Sequence, residues 1–139
     1  MAHVLIIDDD PKQAQALASL LARQGHQAEC AAGVTEARRL LQDHSPDLLI
    51  VDVMMPGTTG LQAMDAFTDD PAFADLRFVI YSGSDDPAFV AEAQRLGAAA
   101  YVQKGQPWPS TYAQLAPHLE QALPPAPPAP PADVQQWRL

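Results

Sequence analysis

Four short apolar runs in this chain end on residues that can do chemistry. The run at 4–7 leads into Asp8-Asp9-Asp10, the run at 48–51 into Asp52, the run at 78–81 into Ser82-Gly83, and the run at 99–102 into Lys104. Taken singly, each has an ordinary explanation. An acid after a strand is usually a helix cap, a hydroxyl there is usually a turn residue, and a lysine is usually a solvated charge. All four together call for one explanation. Two carboxylates about 5 Å apart repel by roughly 3 kcal/mol at an effective dielectric near 20. A fold that gathers Asp8, Asp9 and Asp52 therefore needs a hard divalent cation to relieve it. Magnesium prefers one or two carboxylates, with waters and a phosphate oxygen completing the shell. The cluster reads as a Mg2+ site that also expects a phosphate. Lys104 supplies positive charge for the remaining phosphoryl oxygens, and Ser82 supplies a hydroxyl donor. Phosphoryl transfer needs little beyond positioning and charge neutralisation, and a carboxylate can be the nucleophile.

Elements of alternating type must carry these residues. The runs at 4–7, 48–51 and 78–81 are almost continuously apolar, which suits parallel strands covered on both faces. The run at 27–31 is more polar and reads as an edge strand. Helical spacing fills the gaps. Asp10 before Pro11 reads as a cap with proline at the first helical position, Leu17, Leu20 and Leu21 recur on one face, and Gly25 closes the segment. Val34, Ala37, Leu40 and Leu41 mark a second helix, which Pro46 stops. A third covers roughly 61–67. A fourth starts at the Asp86-Pro87 cap and ends at Gly97. A fifth spans about 110–123, and Pro117 should kink or divide it. Five alternations predict an α/β fold, a doubly wound five-stranded parallel sheet with helices on both faces and strand order 2-1-3-4-5. This is the flavodoxin-like pattern, with its site at the carboxyl ends of the strands.

The 139 residues fit one domain, and 47% apolar content is enough for a core. The domain is expected at 1–123 and a proline-rich, low-complexity tail at 124–139. Residues 124–131 should be extended polyproline of roughly 25 Å at about 3.1 Å per residue. The tail reads as a linker, an inert extension, or a docking or dimerising peptide carrying Trp137. A net charge of −9 with scattered cations argues against nucleic acid and against anionic membrane surfaces. The single cysteine, Cys30, fits a reducing compartment and reads as a small buried thiol. No secretory signal and no apolar run near 18 residues is seen, so a cytoplasmic location is expected.

Three stretches closely resemble the receiver domain of two-component response regulators: Val4-Leu-Ile-Ile-Asp-Asp-Asp10, Leu48-Leu-Ile-Val-Asp-Val-Met-Met-Pro-Gly57 and Leu96-Gly-Ala-Ala-Ala-Tyr-Val-Gln-Lys104. The resemblance covers about residues 3–123. It implies that Asp52 is the phosphoacceptor, taking its phosphoryl group from a phosphohistidine on a sensor histidine kinase or phosphotransfer protein. It implies Mg2+ held by the side chains of Asp9 and Asp52 and the backbone carbonyl of Met54, with Asp8 acting through water. Ser82 would hydrogen-bond the phosphoryl group and Lys104 would pair with it. Tyr101 would be an aromatic switch that turns inward once Ser82 moves. The face of the fourth helix, fifth strand and fifth helix would then act on a separate protein effector. Such a chain is a switch and not an enzyme acting on other substrates.

The chain departs from the family at two places. Gly105 stands where receivers usually carry a proline joined through a cis bond. A cis Lys104–Gly105 peptide would cost about 3 kcal/mol, so trans is expected. Ser82-Gly83 replaces the commoner Thr-Ala and keeps the hydroxyl. Two rival readings remain. One is a degenerate receiver that binds partners without phosphorylation. The other is a dehalogenase-like phosphatase, against which Met54 stands where that chemistry needs a second acid.

Overall fold

Parallel pairing of five strands builds one sheet in the order β2-β1-β3-β4-β5: β1 (His3–Ile7), β2 (Gln27–Ala31), β3 (Leu48–Val51), β4 (Phe78–Ser82) and β5 (Ala100–Gln103). The computed structural model describes residues 2–43, 45–53, 62, 64, 65, 69 and 76–120. The described helices are α1 (Pro11–Arg23), α2 (Val34–Asp43), α3 (Pro87–Leu96) and α4 (Trp108–Glu120). Of the helix expected at 61–67, only Gln62, Met64 and Asp65 are described, and they are helical. Hence α3 and α4 correspond to the fourth and fifth helices expected from sequence. The tail, 124–139, and Met54 lie outside the described residues.

The sheet is apolar on both faces because both are covered. Alternate strand residues point to opposite sides. Leu5, Ile7, Leu49, Val51, Phe78, Ile80 and Tyr101 form one cluster with Ala37 and Leu41 of α2 and Ala93 of α3. Val4, Ile6, Leu48, Ile50, Val79 and Val102 form the other, with Leu17 and Leu21 of α1 and Leu115 and Leu119 of α4. This is why β1, β3 and β4 read as unbroken hydrophobic runs. Strand β2 is the edge, with Gln27 exposed and Ala28, Glu29 and Cys30 half-buried.

Local signals set the helix ends. The Asp10 carboxylate accepts from the backbone N–H groups of Lys12 (3.0 Å) and Gln13 (3.4 Å), with Pro11 in the first turn. Asp86 does the same for Ala88 at 2.9 Å, and α3 stops at Gly97 in the left-handed region, φ 90°. The last helix departs from expectation in its start and in not being divided. It begins at Trp108 and runs through Pro117 without division. Pro117 cannot donate to the carbonyl of Ala113. It sits on the exposed side, while Leu115 and Leu119 anchor the helix to the sheet on either side of it. A second tie comes from His26 after α1. Its Nδ1 accepts from the Ala2 N–H at 3.0 Å, and its Nε2 pairs with the Tyr112 hydroxyl of α4 at 3.0 Å.

The loop after β5 resolves the question raised by Gly105. No cis peptide bond occurs among the described residues, and Gly105 has φ 94°. Proline is locked near φ −65° and cannot adopt that backbone. Replacing Gly105 with the family's more usual proline is therefore expected to destabilise the fold, by about 1–3 kcal/mol of backbone strain. Urea unfolding of Gly105→Pro beside wild type measures it, and an unchanged midpoint would contradict the loop as described.

His118 gives a pH-dependent prediction. Burial pushes its pKa below the ordinary 6.5, and the nearby Arg77 charge adds to the shift. The unfolded chain therefore binds this proton more readily than the folded one. Its contribution is present above about pH 6.5 and is lost as pH falls through the lower folded value. Unfolding titrations at pH 7 and pH 5 should show a smaller acid loss in His118→Gln than in wild type.

Candidate functional site

Strand register brings the chemistry to one end of the sheet. Ile7 of β1 pairs with Val51 of β3, so Asp8 and Asp52 leave adjacent strands at the same level. Backbone bonds continue the ladder past both. The Asp8 N–H donates to Ala31 O at 3.0 Å and the Asp52 N–H donates to Ile7 O at 2.9 Å. On the far side Ser82 pairs with Gln103, and the Lys104 N–H donates to Ser82 O at 2.7 Å. Strands β1 and β3 flank the point where the strand order reverses. A crevice outside the carboxyl ends of the strands forms there in open α/β sheets.

Asp8, Asp9 and Asp52 each bring a carboxylate oxygen within 4.8 Å of the others. Asp8 and Asp52 are buried, and Asp9 is the more accessible member at the rim. Both oxygens of Asp8 are engaged. Oδ1 accepts from the Asp10 N–H at 2.9 Å and Oδ2 accepts from Lys104 Nζ at 3.1 Å. The same ammonium stands 3.4 Å from Asp52 Oδ2. Among the described residues, three carboxylates thus face one ammonium, an excess of two negative charges. All the donors are hard carboxylate oxygens, and the excess equals the charge of one divalent cation. This set fits Mg2+. Lys104 Nζ also donates to Gln13 Oε1 at 2.6 Å and lies 5.5 Å from the Tyr81 ring centroid. Beside it a cleft of about 530 Å3 opens between α1 and the loop after β5.

Ser82 is fully buried, and its Oγ accepts from the Ser84 N–H at 3.2 Å. Tyr101, expected to turn inward once Ser82 moves, lies inward in this structure. The residue is 6% exposed and its hydroxyl donates to Ser84 O at 2.7 Å. Burial raises its pKa above the ordinary tyrosine value, partly offset by hydrogen bonding to Ser82 and Ser84. The reason for its position is packing: Tyr101 belongs to the cluster around Ile80 and Ala93, and the Ser84 carbonyl satisfies its one polar atom.

Of the residues singled out in the sequence, Asp8, Asp9, Asp52 and Lys104 converge. Ser82 stands at the same end of the sheet, Tyr101 joins Ser82 through Ser84, and Met54 is outside the described residues. Gln13 went unnoticed. Its one sequence signal was its place three residues after the Asp10 cap, which suggests a capping partner only.

Comparisons with known proteins bear on the family and the fold. The family profile described as the response regulator receiver domain matches residues 4–111. Protein PilH of Pseudomonas aeruginosa is 31% identical over 104 residues, covering 75% of this chain and 86% of PilH. The transcriptional regulatory protein AfsQ1 of Streptomyces coelicolor is 33% identical over 106 residues, covering 75% of this chain but 45% of AfsQ1. Among solved structures, the chemotaxis protein CheY4 of Vibrio cholerae superposes with a TM-score of 0.76 at 26% identity, covering 86% of this chain and 98% of that one. The response regulator TrrA of Thermotoga maritima, solved in complex with Mg2+-BeF, shares the fold with a TM-score of 0.72 at 22% identity. The matched region takes in all but the first residue of the sheet and the residues at its carboxyl ends, and on that ground the chain belongs to the response regulator receiver domain family.

Proposed function

We propose that this chain is a phosphorelay receiver in which Asp52 accepts a phosphoryl group from a phosphohistidine of a sensor histidine kinase or a phosphotransfer protein. The observation that carries the reading is the cluster itself, in which three carboxylates lie within 4.8 Å of one another and Lys104 is the ammonium beside them among the described residues. Asp8, Asp9 and Asp52 would hold Mg2+, with the Met54 carbonyl as the further ligand implied by the family. Bound Mg2+ would supply charge neutralisation for the incoming phosphoryl oxygens. An Asp52 carboxylate oxygen bonds to phosphorus, the phosphorus–nitrogen bond breaks, and the imidazole of the donor leaves. Lys104 neutralises a phosphoryl oxygen from its place beside Asp52.

The output follows from Ser82. The phosphoryl group adds about −1.5 to −2 charges. A Ser82 hydroxyl drawn to it gives up its bond from the Ser84 N–H, and the Ser84 carbonyl holds Tyr101. The site is thereby linked to the face of α3, β5 and α4, which would bind a separate protein effector. Because Tyr101 is already inward, phosphorylation would tighten an existing arrangement. The same observation favours a second reading, a receiver whose face binds its effector without phosphorylation. The domain would comprise 1–123. The acidic charge and scattered cations speak against nucleic acid, and no described helix is long and apolar enough to cross a membrane. The segment 124–139 would extend from it as a linker or docking peptide.

Intact mass after incubation with Mg2+ and acetyl phosphate tests the acceptor. Wild type should gain one phosphoryl group, and Asp52→Asn none. A chelator should abolish the gain. A wild type that takes no phosphoryl group from acetyl phosphate or a histidine kinase mixture would turn the case to the phosphorylation-independent reading.

A further inference from the structure

We propose that Gln13 is a positioning residue that holds the Lys104 ammonium at the edge of the acidic cluster and aims it at the group carried by Asp52. The inference rests on the acceptor reading above. Lys104 Nζ donates to Gln13 Oε1 at 2.6 Å across 91 residues of sequence, its shortest contact. The helix cap fixes where Gln13 stands, since the Asp10 carboxylate takes both the Lys12 and Gln13 N–H groups. A glutamine three residues after a cap usually folds back onto the backbone N–H of the cap residue. Here that N–H is already given to Asp8 Oδ1 at 2.9 Å, so the Gln13 amide is released to reach Lys104.

The valence of the ammonium completes the case. Lysine has three N–H donors on a flexible stem. One goes to Asp8 Oδ2 at 3.1 Å and one to Gln13, which leaves the third for the side of Asp52, whose Oδ2 is 3.4 Å away. Gln13 is neutral and stands outside the carboxylate cluster. It anchors Lys104 without adding charge, and it stays available as an acceptor when a cation draws on the carboxylates. Its own side chain is exposed, so substitution leaves the core untouched.

The chain has two lysines, Lys12 and Lys104, so the nitrogen-15 spectrum of the lysine ammonium groups is readily assigned with Lys12→Arg. In the full chain without metal, wild type should show a protected Lys104 ammonium signal. Gln13→Leu should lose it, and Gln13→Glu, which keeps an acceptor, should restore it. Acyl-phosphate formation with Mg2+ and acetyl phosphate should slow about ten-fold in Gln13→Leu, the order expected for one hydrogen bond to a charged group. Thermal midpoints should not change. Equal signals and equal rates in wild type and Gln13→Leu would overturn the proposal, as would a wild type with no protected Lys104 signal. If wild type takes no phosphoryl group, the acceptor reading fails alone, and the ammonium signal still decides the role of Gln13.

Discussion

An uneven charge balance at the carboxyl ends of β1 and β3 governs this molecule. Asp8, Asp9 and Asp52 crowd into a space where Lys104 is the one close cation among the described residues. Buried carboxylates are costly unless paired or hydrogen-bonded. The fold meets part of that cost locally. Asp8 accepts from a backbone N–H and an ammonium, and Asp52 shares the same ammonium. A charged group bound at such a cluster changes the balance around it.

Apolar packing frames that balance. The apolar clusters on either side of the sheet fix the strands, so a change at the strand ends cannot be absorbed by sliding one strand past another. It can be absorbed in the loop after β4. There Ser82 and Tyr101 are bound to the amide and the carbonyl of the same residue, Ser84. One peptide segment thus joins Ser82 to the aromatic side chain of Tyr101.

On the opposite flank, the cap of α1 and the loop after β5 meet at Lys104. Asp10 orients the first turn of the helix, Asp8 occupies the N–H of Asp10, and Gln13 is left to reach the lysine. The left-handed backbone of Gly105 shapes the loop that follows Lys104. A helix cap and a glycine loop, unremarkable apart, together set where the ammonium sits.

The sequence by itself determined the layered architecture and most of the site. Unbroken apolar runs mean strands covered twice, Asp-Pro pairs start helices, and acids, serine and lysine come to one end of the sheet because parallel strands share one direction. Those signals are local and periodic, so they survive in one dimension. Only the tertiary structure decided the rest. The helix 108–120 runs through Pro117 because sheet packing outweighs one lost backbone bond. Tyr101 lies inward because the core accepts its ring and Ser84 its hydroxyl. Gln13 meets Lys104 because two distant elements converge. Such contacts depend on side-chain reach across 17 or 91 residues, and no spacing along the chain encodes them.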